Sequence, residues 1–398
     1  MFLSGCNLSP LLFSLYISGL GEKLNGSGLG IDLLDQNISS IFFADDILII
    51  GKSKEALENL MGICRRFFQS HKLDISCSKS KVMTYNATTG KTEFNDCDLE
   101  TLQLEEVIFF KYLGIYLNCS PYNFFRTFND QVKKKAQNYL SAVFALTRSG
   151  PNRSALAHAL WTNCGLPSIL YGAEIIPLNK DTIDMVEKCN TAVGKFILQI
   201  PRSSANAVCY VDAGLKPVTS VIAEKVLLYA HRIMNKPTNF WPKMAMTENL
   251  AAGNKSPYTR SLLKIKAASN CLHFNPDQIR KSVRASAITN VLDQIRATST
   301  TAFPLMSTGS SCTKLSWFRP KPWVSDSGIS RIISSFRICN SGLGNRGPAK
   351  NGMFYKLCPL CSRIGIRALN NEVTLLSIKI VALHFHDFRF ICFLIVLR

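Results

Sequence analysis

The chain has 398 residues, of which 47% are hydrophobic, which excludes a wholly disordered polymer and allows two or three domains with cores of their own. Its net charge of +19 and pI of about 9.4 favour polyanionic partners such as nucleic acid or an acidic membrane surface. That charge is uneven: residues 1–120 carry 10 Lys and Arg against 14 Asp and Glu, a net of −4, whereas residues 231–350 carry 18 against 4, a net of +14.

Taken in order, Gly5-Cys6-Asn7-Leu8-Ser9-Pro10-Leu11-Leu12-Phe13-Ser14-Leu15-Tyr16-Ile17 predicts a helix. Ser9 is expected to cap it and Pro10 to occupy its first position, where the missing N–H costs nothing. Leu11, Leu12, Leu15 and Tyr16 are its expected apolar face, and Gly19 and Gly21 are expected to end it near Leu20. Gly26-Ser27-Gly28-Leu29-Gly30 reads as a linker, because no Lys-Ser/Thr pair follows to make it a phosphate cradle.

Two apolar arms then flank a pair of carboxylates in Ile41-Phe42-Phe43-Ala44-Asp45-Asp46-Ile47-Leu48-Ile49-Ile50. The arms read as buried strands joined by a tight turn. Asp also favours solvated turns for its own sake. Adjacent carboxylates repel, however, and a divalent cation relieves that repulsion. Hard oxygen donors suit Mg²⁺ shared with substrate phosphates. Ser53 predicts the cap of a second helix, with Leu57, Leu60, Met61, Cys64, Phe67 and Phe68 on its core face. Lys79 and Lys81 follow in a polar turn, and Lys111-Tyr112-Leu113-Gly114-Ile115-Tyr116-Leu117 reads as a strand with a bend.

The form Gly-x-x-x-Ser-Pro-x-Leu-Phe-x-x-Tyr-Ile followed by Phe-Ala-Asp-Asp resembles the palm of reverse transcriptases, above all those of non-LTR (LINE-type) retrotransposons. The resemblance implies an α+β fold: a truncated right-hand polymerase palm with ferredoxin-like β-α-β elements, then a mostly helical thumb, then a basic irregular region. It also implies RNA-directed DNA polymerase ancestry, with an RNA template, a DNA primer and deoxynucleoside triphosphates as partners and Mg²⁺ or Mn²⁺ as cofactor. Asp45 would be the principal metal ligand and Asp46 a second, weaker one. Phe43 and Ala44 would pack near the site, while Gly5 and Ser9 would help position template and nucleotide. Lys79 or Lys81 would neutralise the pyrophosphate leaving group. The Tyr-Leu-Gly stretch would form a hairpin that supports the primer end. Ser4 departs from the family, which usually has Gln there. A further Asp, on a strand that the family places before the Gly5 motif, is expected to lie outside these residues. So are the nucleotide-gripping fingers. The chain is therefore expected to be inert alone, its sheet short of one strand and open at an edge.

From about residue 122 to 235 the texture is helical. Val132, Ala136, Tyr139, Leu140, Val143 and Phe144 form one face beside Lys133, Lys134 and Lys135. Asp181 is expected to cap a helix, and another is expected from about Thr219 to Met234. Leu166-Pro167-Ser168-Ile169-Leu170-Tyr171-Gly172-Ala173-Glu174 resembles the thumb of the same enzymes. Residues 236–350 are basic and rich in Ser and Thr, with helical patches near 260–272 and 278–297. Cys358 and Cys361 open like a zinc knuckle, but Thr374 and Lys379 stand where the family has His and Cys, so Zn²⁺ is doubtful; His384, His386 and Cys392 have atypical spacing. The apolar run Phe388–Leu397 is too short to span a bilayer and reads as buried or aberrant sequence.

The expected divisions are 1–120, 121–235, 236–350 and 351–398. Scattered cysteines point to reduced thiols in an intracellular protein of nucleus or cytoplasm. Two other readings stay open: a non-catalytic nucleic-acid-binding remnant that uses residues 231–350, and a fragment with no stable fold. An unrelated two-metal nuclease would need more carboxylates or His close to the Asp pair.

Overall fold

The computed structural model describes residues 8–85, 104–148, 153–271, 275–297 and 390–396. The chain divides into two compact units. One comprises Met1–Phe128, Lys236–Thr259 and Ile378–Arg398, the other Asn129–Asn235 and Arg260–Ser377. Both helices and small sheets are present, in keeping with an α+β class.

In the first unit α1 runs over Ser9–Asn25. Ser9 is its first helical residue and not its cap; Leu8 holds the cap position with no side-chain hydrogen bond. The helix also passes straight through Gly19 and Gly21. At Gly21 a Cβ would meet the Phe42 ring at 3.2 Å, so this glycine serves close packing and does not terminate the helix. The buried stripe is Ile17, Leu20 and Leu24, whereas Leu11, Leu12, Leu15 and Tyr16 are exposed. The expected face is thus the wrong one, because contact with β3 and α2 buries a different stripe.

A small hairpin follows, β1 (Ile31–Leu33) with β2 (Gln36–Ile38). It needs glycine at its base, because a Cβ on Gly30 would lie 2.2 Å from the Ile38 carbonyl oxygen. Helix α9 (Trp241–Ala251) packs on it through Met244, Ala245 and Trp241, and the Trp241 indole donates to Gln36 Oε1 at 2.8 Å.

The main sheet has five strands in the order β3-β4-β9-β5-β6. They are β3 (Ser40–Phe43), β4 (Asp46–Gly51), β5 (Lys81–Tyr85), β6 (Glu105–Glu106) and β9 (Phe390–Val396). Helix α2 (Lys54–Ser70) starts as expected, with the Ser53 hydroxyl accepting from the Ala56 N–H at 3.1 Å. Its residues Leu57, Leu60, Met61, Cys64, Phe67 and Phe68 are all buried. Together with α1 they cover Ile47 and Ile49 on one face of β4. Each such large side chain contributes about 1.5–3 kcal/mol by leaving water, which makes this layer the main support of β4. The alternate residues Leu48 and Ile50 face Tyr112 on the hairpin of β7 (Phe109–Tyr112) and β8 (Ile115–Asn118). Being covered on both faces explains why β4 is apolar from Ile47 to Ile50.

Among the described residues, the edge of β4 is not the open one expected. Strand β9 pairs with all six residues of β4 and, on its other side, with β5. The C-terminal apolar run is therefore a sheet strand. Periodicity could not reveal this, because a strand apolar on both faces has no alternation and its partners lie far away in the chain.

The second unit is helical. It takes up α3 (Pro121–Thr147) from Asn129 onward, and Val132, Ala136 and Val143 are buried there. Then come α4 (Arg153–Ala159), a π-helical turn (Leu160–Gly165), α5 (Leu166–Ile169), α6 (Lys180–Leu198), α7 (Ala207–Val211) and α8 (Val218–Met234). Asn179, and not Asp181, caps α6, accepting from the Thr182 N–H at 2.8 Å; Asp181 lies in the first turn, where its charge suits the helix dipole. Helices α10 (Pro257–Ala268) and α11 (Pro276–Ala297) match the two helical patches of the basic stretch.

Glu187 anchors this unit's interior. Its carboxylate accepts from Asn190 Nδ2 at 2.9 Å, Tyr210 OH at 2.9 Å and the Val218 N–H at 2.7 Å. Trp161 Nε1 donates to Asn190 Oδ1 at 2.8 Å. Burial pushes the Glu187 carboxyl up, and the three donors hold it back. This buried network is fully partnered, so it ties α6, α7 and α8 in one arrangement.

Candidate active site at the acidic hairpin

Strands β3 and β4 pair so that Phe43 stands opposite Asp46, which leaves Ala44 and Asp45 as a two-residue turn. Ala44 has φ +52°, in the left-handed region that normally calls for glycine or asparagine. Strain of this kind persists only where the surroundings impose it. Here the apolar ladder Ile41–Leu48 and Phe42–Ile47 imposes it, closing the turn with no residue to spare.

Asp45 is exposed and Asp46 is half-buried. Desolvation raises the Asp46 carboxyl above its ordinary value, and the charge of Asp45 raises it further. The tip is thus a point where negative charge is held against its own preference. Phe43 is 39% exposed beside it. Asp46 shares its face of β4 with Leu48 and Ile50, the face that Tyr112 covers. Among the described residues the buried Tyr112 hydroxyl has no hydrogen-bond partner. Burial raises its phenol, and the Asp46 charge raises it again. Sequence reading gave Tyr112 no role at the tip. The Tyr-Leu-Gly turn is visible in the sequence, with Leu113 at φ +47° and Gly114 at φ +83°, but the effect of the Asp46 charge on the Tyr112 phenol acts between segments far apart in the chain.

The two lysines differ. Lys81 opens β5 and is ion-paired to Glu105. Lys79 is exposed in the turn before it, where its N–H donates to the Ser76 carbonyl at 3.1 Å. The register carries Lys81 across Leu394 of β9 to Leu48 of β4, two residues in from Asp46. Two strand spacings separate them, roughly 10 Å. The acidic tip and the Lys79–Lys81 turn are therefore at the same end of the sheet. Ser9 starts α1, while Gly5, Cys358 and Cys361 lie outside the described residues.

Two carboxylates at an exposed tip fit a Mg²⁺ ion that takes its other ligands from substrate phosphate and water. They do not make a closed protein cage: among the described residues no group of three or more His, Cys, Asp and Glu could hold a metal. No described helix is long and apolar enough to cross a membrane.

Residues 3–117 match the family model of reverse transcriptase (RNA-dependent DNA polymerase). That stretch holds the acidic hairpin, α1, α2 and most of the β7–β8 hairpin, and the match supports a reverse transcriptase domain there. No curated protein and no solved structure matches the chain.

Proposed function

We propose that the chain is a reverse transcriptase homologue of the non-LTR retrotransposon type, and that its 398 residues alone do not extend a primer. The observation that carries the ancestry is the Phe-Ala-Asp-Asp turn, strained at Ala44, within the stretch that matches the family model. In this reading Asp45 and Asp46 would hold Mg²⁺, and the ion would supply Lewis-acid activation of a hydroxyl and charge neutralisation for phosphates. Asp45 is the principal ligand because it is exposed. Asp46 is the weaker one, since burial and its neighbour disfavour its charge. Lys79 is better placed than Lys81 to meet a leaving group, because Lys81 is engaged with Glu105.

Inertness rests on the strand beside β4. In two-metal transfer a further carboxylate must face the pair, and Val396 of β9 stands opposite Asp46 instead. The test is extension of oligo(dT) on poly(rA) with Mg²⁺ or Mn²⁺. The account expects none; extension that Asp45→Asn abolishes would overturn the inertness and keep the site.

The charge distribution favours a second reading, nucleic-acid binding without catalysis. Lys264, Lys266, Arg280, Lys281 and Arg284 lie on α10 and α11. Affinity for RNA that falls steeply with salt, together with a cooperative melt, would support it.

A further inference from the structure

The crossover from β4 through α2 to β5 does not join neighbouring strands. Each of the two pairs antiparallel with β9, so β4 and β5 run parallel with one strand's width between them. The gap is demanding. Ile47 to Gly51 of β4 are buried, so without a partner their edge N–H and C=O groups would be dry and unpaired. On its far side β5 presents a second such row. Only an extended segment satisfies both rows at once. Its residues must also be apolar in both directions, since α1 and α2 cover one face of β4 and the β7–β8 hairpin covers the other.

Phe390-Ile391-Cys392-Phe393-Leu394-Ile395-Val396 meets these terms, with no Gly, Pro or charge and mostly β-branched or aromatic residues. Its register is continuous, from Asp46–Val396 to Gly51–Ile391 on one side and from Lys81–Leu394 to Tyr85–Phe390 on the other. No tight turn joins it to either neighbour: β4 leads into α2, and the elements before and after β5 are likewise not β9. Its place therefore depends on the ladders alone, and the same strand from another molecule would form identical ladders.

We propose that the gap between β4 and β5 is a strand-acceptor site through which two copies of this chain exchange their Phe390–Val396 strands. The inference does not depend on nucleotidyl transfer; it concerns what fills the sheet, whatever the acidic tip binds.

Native Cys392 provides the test, because it stands opposite Met83. Opposed residues in an antiparallel pair have Cα atoms about 4.5–5.5 Å apart, within disulfide range. In full-length Met83→Cys, oxidation is expected to link positions 83 and 392, mapped by peptide mass. Within one chain this link reports the strand in its own slot. Between a size-tagged and an untagged copy it reports exchange. The interchain share is expected to rise in proportion to protein concentration between about 1 and 100 µM, as it must when the intrachain effective concentration is millimolar or less. Should Met83→Cys fail to fold, Tyr85→Cys with Phe390→Cys repeats the test at a half-buried end of the ladder. Leu394→Pro, which removes a ladder donor, is expected to abolish the link in either background. Absence of any 83–392 and 85–390 link overturns the acceptor site. A link that stays intrachain at every concentration, with no mixed-size dimer, overturns exchange. Neither result bears on primer extension or metal binding at Asp45 and Asp46, so the two accounts fail separately.

Discussion

Two tyrosines in this chain lose the same atom with opposite expected results. Among the described residues the buried Tyr112 hydroxyl, which the Asp46 charge affects, has no hydrogen-bond partner, whereas the Tyr210 hydroxyl donates to Glu187 Oε1 at 2.9 Å. An unsatisfied buried polar group costs about 1–3 kcal/mol, and a hydrogen bond to a charged group contributes about 1.5–3 kcal/mol. In Tyr112→Phe the ring keeps its contacts with Leu48 and Ile50, and the stranded oxygen is removed. The variant should gain about 1 kcal/mol, the low end of that range, because some void is left behind. Tyr210→Phe should lose about 2 kcal/mol, since Glu187 then lacks one of its three donors. Native-state amide exchange reads each change locally. With tenfold in rate for every 1.4 kcal/mol, amides of Ile47 to Ile50 should exchange about fivefold more slowly in Tyr112→Phe. Amides of α6 should exchange about thirtyfold faster in Tyr210→Phe. Faster exchange of β4 in Tyr112→Phe would refute the reasoning, because it would mean that the hydroxyl serves a polar partner at the acidic tip.

Ala44→Gly relieves the left-handed turn and should stabilise the hairpin by about 1 kcal/mol, read as a raised urea midpoint; a lowered midpoint would show that the Ala44 methyl is needed. Asp46 has its carboxyl raised by folding, so its contribution is fullest below the unfolded value near 3.8 and is lost as the pH rises through the folded one. Asp46→Asn is neutral throughout, so its Tm should exceed the parent's at pH 7, and the two should converge toward pH 3; no pH dependence in the difference would contradict the desolvated site. Gly194→Ala on α6 should destabilise the helical unit by about 1–3 kcal/mol, because the new Cβ would lie 2.6 Å from Cys209 Cβ; an unchanged melt would mean that α7 can shift.

Local chemistry was legible in the sequence wherever one element decided the outcome. Ser53 capped α2 and its 3.6-residue stripe was buried, and the Phe-Ala-Asp-Asp turn closed as a tight hairpin. Decisions between elements were not legible. On α1, contact with β3 and α2 buried Ile17, Leu20 and Leu24 in place of the leucines nearer its start. Asn179 displaced Asp181 as a cap because the helix begins two residues earlier than the Asp implied. Tyr112 packed on Leu48 and Ile50, and Phe390–Val396 paired with β4, across separations that no local pattern encodes.

The claim on which the functional reading rests is that the tip seats a divalent ion beneath a nucleotide's phosphates. Mn²⁺ titrated into the full chain with dTTP, followed by the loss of its free-ion electron paramagnetic resonance signal, tests this most directly. The account predicts Mn²⁺ binding that requires dTTP and weakens at least about tenfold in Asp45→Asn, the scale of one lost charge-assisted ligand worth about 1.4 kcal/mol or more. Equal binding by the parent and by the Asp45→Asn, Asp46→Asn double variant would contradict it.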